Sequence, residues 1–253
     1  MILLCCVIVK IAAVSSVYKS RDLAAACDAI LDIGFDSIEV MAYPPHVDLS
    51  QISMAQDVLS PYQGKVSGFG IYENLCDLRE DHRMHAVQKV TSCIELCSRT
   101  KGEFVVCQSG MVPSFLRNDM ATAFEKSLSE ILPVACQFQV HLAIENAPAT
   151  LLATVEETVS FLSTHTDPSI SLTVDPVNFS AAQCSPYELE DLVPRTVNLH
   201  LKNVASEEEA PVSHGEVDFR KVLSHPWDSV LTAEYEETER TEEFLQDAIS
   251  FLR

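Results

Sequence analysis

Short apolar runs alternate along the chain with longer segments in which apolar positions recur at helical spacing. The runs are about five residues long and rich in β-branched side chains, a pattern typical of buried parallel strands. Eight of them are predicted to be strands, over 7–15, 36–42, 65–71, 103–109, 140–146, 170–176, 196–203 and 229–236. Strands that alternate with helices predict repeated βα units and a parallel sheet.

The segments between the strands carry helix signals. Residues 20–34 begin with a serine cap and end at a glycine, and two acidic residues open the segment 80–100. Pro133 is expected to kink or break the helix that contains it, and the helical pattern is weakest over 48–60. The further predicted helices are 117–139, 154–164, 185–193, 218–224 and 239–252.

The number of these units and the chain length together predict the fold. No linker, low-complexity block or change of composition divides the 253 residues, so 1–253 is predicted to be one domain. Eight βα units in a chain of about 250 residues match a single α/β (β/α)8 TIM barrel.

Charge and cysteine content limit the partners and the compartment. The net charge of −20 would repel a phosphate backbone, so no nucleic-acid partner is expected. No segment is apolar enough to span a bilayer, and no membrane partner is expected. Nine cysteines without a CxxC pair favour reduced thiols and a cytoplasmic location, with Cys93 and Cys97 on one helix face in the core. The alternative, a secretion signal in "MILLCCVIVKIAAVSS", lacks a basic n-region. A monomer and a homodimer are both compatible with the sequence.

Polar residues close several predicted strands, and in a barrel that is where the chemistry lies. Glu39 ends the second strand, while Glu145, Asp175, His200 and Glu234 end the fifth to eighth, with Glu236 close behind. Neighbouring barrel strands lie about 4.8 Å apart, so the four side chains that end the fifth to eighth strands can meet around one ion. Taken singly, each has a structural explanation: a hydrogen-bonded core histidine, a turn-initiating aspartate, or a solvated acidic face. Together they favour a site for one divalent metal, with Mn²⁺, Mg²⁺ or Co²⁺ preferred and Zn²⁺ compatible.

Six motifs resemble a known family in order and spacing: "GFDSIEVMA", "HLAIENAP", "LTVDPVNF", "VNLHLKN", "HGEVDF" and "LTAEYE". They are similar to the strand motifs of the xylose isomerase-like TIM-barrel superfamily. That superfamily contains sugar isomerases and epimerases, hydroxypyruvate isomerase, inosose and dehydroshikimate dehydratases, and endonuclease IV-type nucleases. The resemblance covers nearly the whole chain.

The resemblance implies roles for particular residues. Glu145, Asp175, His200 and Glu234 would bind the metal, and Glu145 and Glu234 would also exchange protons with the substrate. Asn178 and Lys202 would contact the substrate. The position of Glu39 at the end of the second strand is compatible with two roles, a hydrogen bond to a substrate hydroxyl group and a structural role at the barrel mouth.

The chain departs from the family pattern at three places. "DPVN" has Asn178 where a histidine is common, "HLKN" has Asn203 in place of an acid, and only Gly215 remains of a glycine-rich loop. The third, fourth and sixth strands also lack the histidines of a trinuclear nuclease site. With few glycines to build a phosphate loop, a neutral sugar, a polyol or a small keto acid is favoured over a sugar phosphate.

These features predict a metal-dependent isomerase or epimerase acting on such a small molecule. It would transfer a proton next to a carbonyl through an enediolate held by the metal. Two alternatives stay open: a metal-dependent dehydratase of the inosose or dehydroshikimate type, and a non-catalytic binding barrel.

Overall fold

A closed barrel of eight parallel strands forms the centre of the molecule, and this confirms the predicted α/β (β/α)8 fold. The computed structural model describes residues 9–253. Residues 7 and 8 of the predicted first strand, and the first half of the apolar segment considered as a signal, therefore lie outside the described residues. That all of 1–253 is one domain stays a prediction.

Each predicted strand has its counterpart in the barrel. The barrel strands are β1 (Ile11–Val14), β2 (Ser37–Met41), β3 (Val66–Gly70), β4 (Phe104–Cys107), β5 (His141–Glu145), β6 (Ile170–Val174), β7 (Thr196–Leu201) and β10 (Val230–Ala233). Between β7 and β10, an antiparallel hairpin consists of β8 (Asn203–Ala205) and β9 (Glu208–Ala210). Pairing of β1 with both β2 and β10 closes the ring.

A helix follows each barrel strand and packs on the outside. The helices are α1 (Leu23–Ile33), α2 (Ile52–Leu59), α3 (Glu80–Thr100), α4 (Arg117–Phe138), α5 (Val155–Thr164), α6 (Pro176–Ala181), α7 (Phe219–Val222) and α8 (Thr241–Leu252). Cys93 and Cys97 are buried on α3, as predicted. No helix of residues 9–253 is long and apolar enough to cross a membrane.

A break at Pro133, one of the two effects predicted for it, is absent, and one predicted helix is wrong. α4 continues without a break through Pro133, because proline removes a single hydrogen bond while Leu128, Ile131 and Ala135 remain buried on either side of it. The segment 185–193 forms turns instead of a helix. Its leucines at positions 189 and 192 are both buried, and one hydrogen-bonded turn between them reproduces helical spacing.

Small and apolar side chains fill the amino-terminal part of the barrel interior, so the polar residues gather at the other end. This inner cluster consists of Ala12, Phe104, Val106, Ala143 and Val230. Gly68 on β3 lies opposite Phe104 on β4, and its missing side chain leaves room for the aromatic ring.

Gly68→Ala is expected to lower the free energy of unfolding by about 1–3 kcal/mol, the usual cost of overfilling a packed core. A Cβ at position 68 would lie 2.3 Å from the ring of Phe104 and 2.7 Å from its carbonyl oxygen. Urea unfolding measures the loss, and a second change, Phe104→Leu, should recover part of it by removing the ring contact. An alanine variant as stable as the wild type would contradict this packing.

Candidate metal and catalytic site

Four side chains from consecutive barrel strands converge at the carboxyl end of the barrel. Glu145 is the last residue of β5, Asp175 follows β6, His200 lies near the end of β7, and Glu234 follows β10. One ligand atom from each lies within 4.8 Å of those from the other three. The structure thus brings together the four residues that the sequence predicted to bind a metal.

His200 is fully buried, and its two ring nitrogens face different groups. Nδ1 faces the cluster, 3.1 Å from Glu234 Oε2 and 3.3 Å from Glu145 Oε1. Nε2 lies 3.4 Å from Glu39 Oε2. A proton on Nε2 would be donated to Glu39 and would leave the Nδ1 lone pair free for a metal, the usual arrangement for a ligating histidine.

Glu39 lies beneath the cluster, and its contacts are of the structural kind, one of the two roles expected from the sequence. Its side chain is fully buried, and its Oε2 also accepts a hydrogen bond from Asn198 Nδ2 at 2.8 Å. Asn198 in turn accepts a hydrogen bond from the Thr232 hydroxyl through its Oδ1. This polar chain holds Glu39 against His200.

Two side-chain amides hold the Glu145 carboxylate from opposite sides. Gln108, which follows β4, donates to Oε2 at 3.0 Å, and Asn178 donates to Oε1 at 3.3 Å. Asn178, predicted to bind substrate, also donates to the carbonyl oxygen of Asn146. The orientation of Glu145 is therefore fixed by the protein itself.

Asp175 serves both the cluster and the helix that follows it. One oxygen, Oδ1, accepts hydrogen bonds from the backbone N–H groups of Val177 and Asn178 and so caps α6. Its backbone N–H and carbonyl are both bonded to the side chain of Asn146. The cap directs the second oxygen, Oδ2, toward the other ligands.

Lys202 reaches the cluster from the residue just beyond β7. Its Nζ lies 2.6 Å from Asp175 Oδ2 and 2.8 Å from Glu234 Oε2. Within residues 9–253 it is the only lysine or arginine that forms an ion pair with a member of the cluster. Unlike His200, its side chain is partly exposed and lines an open cavity.

Burial and mutual charge shift the pKa values of these groups in different directions. Burial raises the pKa of Asp175, although Lys202 opposes that shift. For Glu234, burial would raise the pKa, but His200 and Lys202 outweigh it and hold the pKa well below its ordinary range. Burial lowers the pKa of His200, but the nearby carboxylates of Glu234, Glu39 and Glu145 have the larger effect. Together they raise this pKa well above the usual value. The carboxylates that raise the pKa of His200 thus favour a positive charge next to its ring.

A cavity of about 450 Å³ opens above the cluster. Lys202 and Glu234 form part of its floor, and its walls include Tyr43, Tyr72 and Glu209. The Tyr72 hydroxyl is buried without a hydrogen-bond partner, and burial next to Glu145 and Glu234 raises its pKa well above the usual value. This volume accommodates a small molecule next to Glu234, the candidate ligand among its described lining residues.

The donor set fits a divalent metal. Asp175 Oδ2 and His200 Nδ1 are both buried and form no well-aligned hydrogen bond, although buried polar atoms normally do. Their close neighbours are charged groups of the site itself, Lys202 for Asp175 and the carboxylates of Glu145 and Glu234 for His200. Three carboxylates and one imidazole form a mainly hard ligand set that suits Mg²⁺, Mn²⁺, Co²⁺ or Zn²⁺. Glu145, Asp175, His200 and Glu234 are thus the residues that would hold it.

A family model described as xylose isomerase-like TIM barrel matches residues 27–253. The chain belongs to this family. The match therefore confirms the resemblance found in the six motifs. A comparison with curated protein sequences returns no significant match.

Solved structures of the same fold include enzymes with different reactions. The apo 3-keto-D-glucoside 4-epimerase YcjR of E. coli is 13% identical, with a TM-score of 0.80 over 97% of this chain and 99% of that one. The IOLI protein with a bound zinc atom is 16% identical, with a TM-score of 0.80 over 96% of each chain. The probable 3-DHS dehydratase AsbF from Bacillus anthracis is 14% identical, with a TM-score of 0.76 over 96% of this chain and 98% of that one. At these identities the likeness shows the fold.

Several side chains of the site were not predicted from the sequence. Gln108 directly follows a strand, so the rule that weights polar strand ends in a barrel could have found it. Asn146 stands beside Glu145 in the same motif and could have been found in that way too. Tyr72 and Glu209 carried no comparable signal, because an isolated tyrosine and one residue of an acidic run are common on protein surfaces.

Proposed function

We propose that this chain is a divalent-metal-dependent isomerase or epimerase that moves a proton next to a carbonyl group of a small neutral sugar or polyol derivative. The observation that carries the proposal is the convergence of four ligand atoms within 4.8 Å of one another beneath an open cavity. Membership of a family with epimerase structures among its fold relatives supports the reaction class.

A divalent ion bound by these four residues would polarise the substrate carbonyl and so make the neighbouring C–H bond more acidic. Glu145 and Glu234 are the two carboxylates placed to move that proton. Glu145 is held by Gln108 and Asn178, while Glu234 lines the cavity beside Lys202. In an epimerase, one carboxylate takes the proton from carbon, and the other carboxyl group, protonated beforehand, gives its proton to the opposite face. In an isomerase, the carboxylate that takes the proton returns it to the neighbouring carbon, while the substrate hydroxyl proton passes to the former carbonyl oxygen.

Three further side chains would serve binding and orientation. Glu39 would orient the ring of His200 through Nε2, which is the structural one of its two expected roles. The unpartnered Tyr72 hydroxyl can donate a hydrogen bond to a substrate oxygen. Lys202 can donate to a substrate oxygen from the cavity floor.

The charges around the cavity favour a neutral substrate. Glu209, Glu234 and Glu236 line it. Its two lysines are already paired, Lys19 with Glu236 at 2.7 Å and Lys202 with Asp175 and Glu234. A phosphate or carboxylate group of a substrate would find no unpaired cation among the described lining residues, so a keto sugar or keto polyol is preferred.

A dehydratase is the second candidate. Elimination of water begins with the same removal of a proton next to a carbonyl. The position of Lys202 favours it, because its ammonium group lines the cavity and could donate a hydrogen bond to a departing hydroxyl group. Screening of keto sugars and inososes in D₂O separates the two reactions, since an epimerase exchanges a carbon-bound proton without loss of water.

Metal analysis of the purified protein tests the metal site on which both candidate reactions depend. Wild-type protein, purified without chelator or incubated with Mn²⁺ or Zn²⁺, is expected to hold about one ion per chain, as a site of this type does. His200→Ala should lose most of that ion because Nδ1 is removed. His141→Ala is the matched control, since His141 begins β5 at the far end of the barrel. No ion in the wild type, or equal content in the His200 variant, would contradict the proposal and favour a non-catalytic barrel.

A further inference from the structure

Lys202 places a positive charge within the set of candidate metal ligands. Its Nζ is 2.6 Å from Asp175 Oδ2 and 2.8 Å from Glu234 Oε2. Asp175 and Glu234 both belong to the cluster of four, and Asp175 Oδ2 is the atom that accepts no hydrogen bond elsewhere. The ammonium group thus lies against two of the oxygens that a metal would need.

A divalent ion would have to lie about 2.0–2.2 Å from the same oxygens. Like charges repel strongly at such short separations away from bulk water, and carboxylate oxygens that already balance one cation attract a second one less. We propose that Lys202 is a resident counter-ion that competes with the metal for Asp175 and Glu234, and that it withdraws when the metal binds. This inference rests on the proposed metal site.

The structure offers the displaced ammonium group a second partner. Glu209 on β9 lines the same cavity as Lys202. Its Oε1 accepts a hydrogen bond from the backbone N–H of Glu236, whereas its Oε2 is buried and has no hydrogen-bond partner. Lys202 can therefore leave the ligand oxygens and pair with Glu209 by moving its flexible side chain, while the backbone stays in place.

The competition has two consequences for the protein. Lys202 lowers the affinity for the metal, because each binding event must break its ion pairs. It also balances the buried charge of Asp175 and Glu234 when no metal is bound, so the barrel does not need the ion in order to fold. A lysine that only orients the ligands would have the opposite effect on affinity, since removal of an orienting partner weakens metal binding.

Metal affinity of the chelator-treated protein, measured by competition of Mn²⁺ or Zn²⁺ with a chromophoric chelator, tests the inference. Lys202→Met is expected to bind the ion about tenfold more tightly than the wild type, or tighter still, on the scale that groups next to metal ligands reach. Lys202→Arg retains the charge and should stay near the wild type. Lys19→Met is the matched control, because it removes one lysine from the same cavity without touching a candidate ligand.

A second readout uses thermal unfolding and does not depend on activity. Without metal, Lys202→Met should melt at a lower temperature than the wild type, and added Mn²⁺ should raise its melting temperature by more. Glu209→Gln should weaken metal binding in the wild-type background and have a smaller effect when Lys202 is already methionine, because the two residues would act as a pair.

The possible outcomes separate this inference from the proposed function. If the wild type binds the ion and Lys202→Met binds it equally or more weakly, the metal site stands and the counter-ion role is overturned. If neither protein binds an ion, both proposals fall. If only Lys202→Met binds it, the counter-ion role is supported, and the native lysine itself replaces the metal.

Discussion

Glu145→Gln is expected to reduce turnover by about 10³-fold, the scale on which a positioned proton-transfer group contributes to catalysis. Glutamine has nearly the same shape as glutamate, but it cannot accept a proton from carbon and is a poor ligand for a hard divalent ion. The measurement is proton exchange in D₂O, followed by NMR, on the keto sugar that reacts fastest with the wild-type protein. Metal content should fall in the same variant.

The surroundings of Glu145 add to this loss. Gln108 donates to one of its oxygens and Asn178 to the other, so the site requires an acceptor on both sides. An amide at position 145 supplies a single acceptor oxygen, and its NH₂ group must face one of these two donors. The substituted side chain is therefore poorly matched to its pocket.

Gln108→Met is the matched control for this prediction. It removes one hydrogen bond to Glu145 but keeps the carboxylate, so a loss of about tenfold is expected, the smaller end of what an outer partner contributes. Full activity and full metal content in Glu145→Gln would show that Glu145 is neither a proton-transfer group nor a ligand.

The barrel and the four candidate ligands could be predicted from the sequence for one physical reason. Parallel strands buried on both faces appear as continuous apolar runs, and a polar residue at the end of such a run stands out. Glu145, Asp175, His200 and Glu234 are all of this kind. Closure of the barrel then brings the ends of neighbouring strands together, whatever the details of the loops.

The supporting residues could not be predicted in the same way, because their roles depend on side-chain direction. Glu39 also ends a strand, but its carboxylate points beneath His200 and does not line the cavity. Asn178 bonds to Glu145 because Asp175 caps α6 and places residue 178 on its first turn. The residues of this cap are present in the sequence. The apolar spacing of 185–193 nevertheless led to a predicted helix there and not at α6.

The structure also explains the asparagine at position 203, where the resemblance of the motifs led us to expect an acid. Asn203 is fully buried and uses both ends of its amide. Its Nδ2 donates to the carbonyl oxygens of Val212 and Val217, and its Oδ1 accepts from the backbone N–H groups of Val204 and Val217. Gly215 packs so closely that a Cβ there would lie 2.0 Å from the amide carbon. Asn203 therefore ties together the loop that carries Glu209 to the cavity.

Asn203→Asp is accordingly expected to lower the free energy of unfolding by about 3 kcal/mol, since it leaves buried carbonyl groups without donors and buries an unpaired charge. Burial would raise the pKa of the new carboxyl group in the folded state above its value in the unfolded chain. The deficit should therefore be largest above the folded-state pKa and should shrink as the pH falls from that value toward the pKa of the unfolded chain. Urea unfolding at neutral and mildly acidic pH measures both effects. The matched control, Asn118→Asp on the exposed first turn of α4, should change stability by less than about 0.5 kcal/mol. If Asn203→Asp were as stable as this control, the acid common in the family would fit the loop equally well, and the asparagine would need an explanation in the chemistry of the site instead of the packing of the loop.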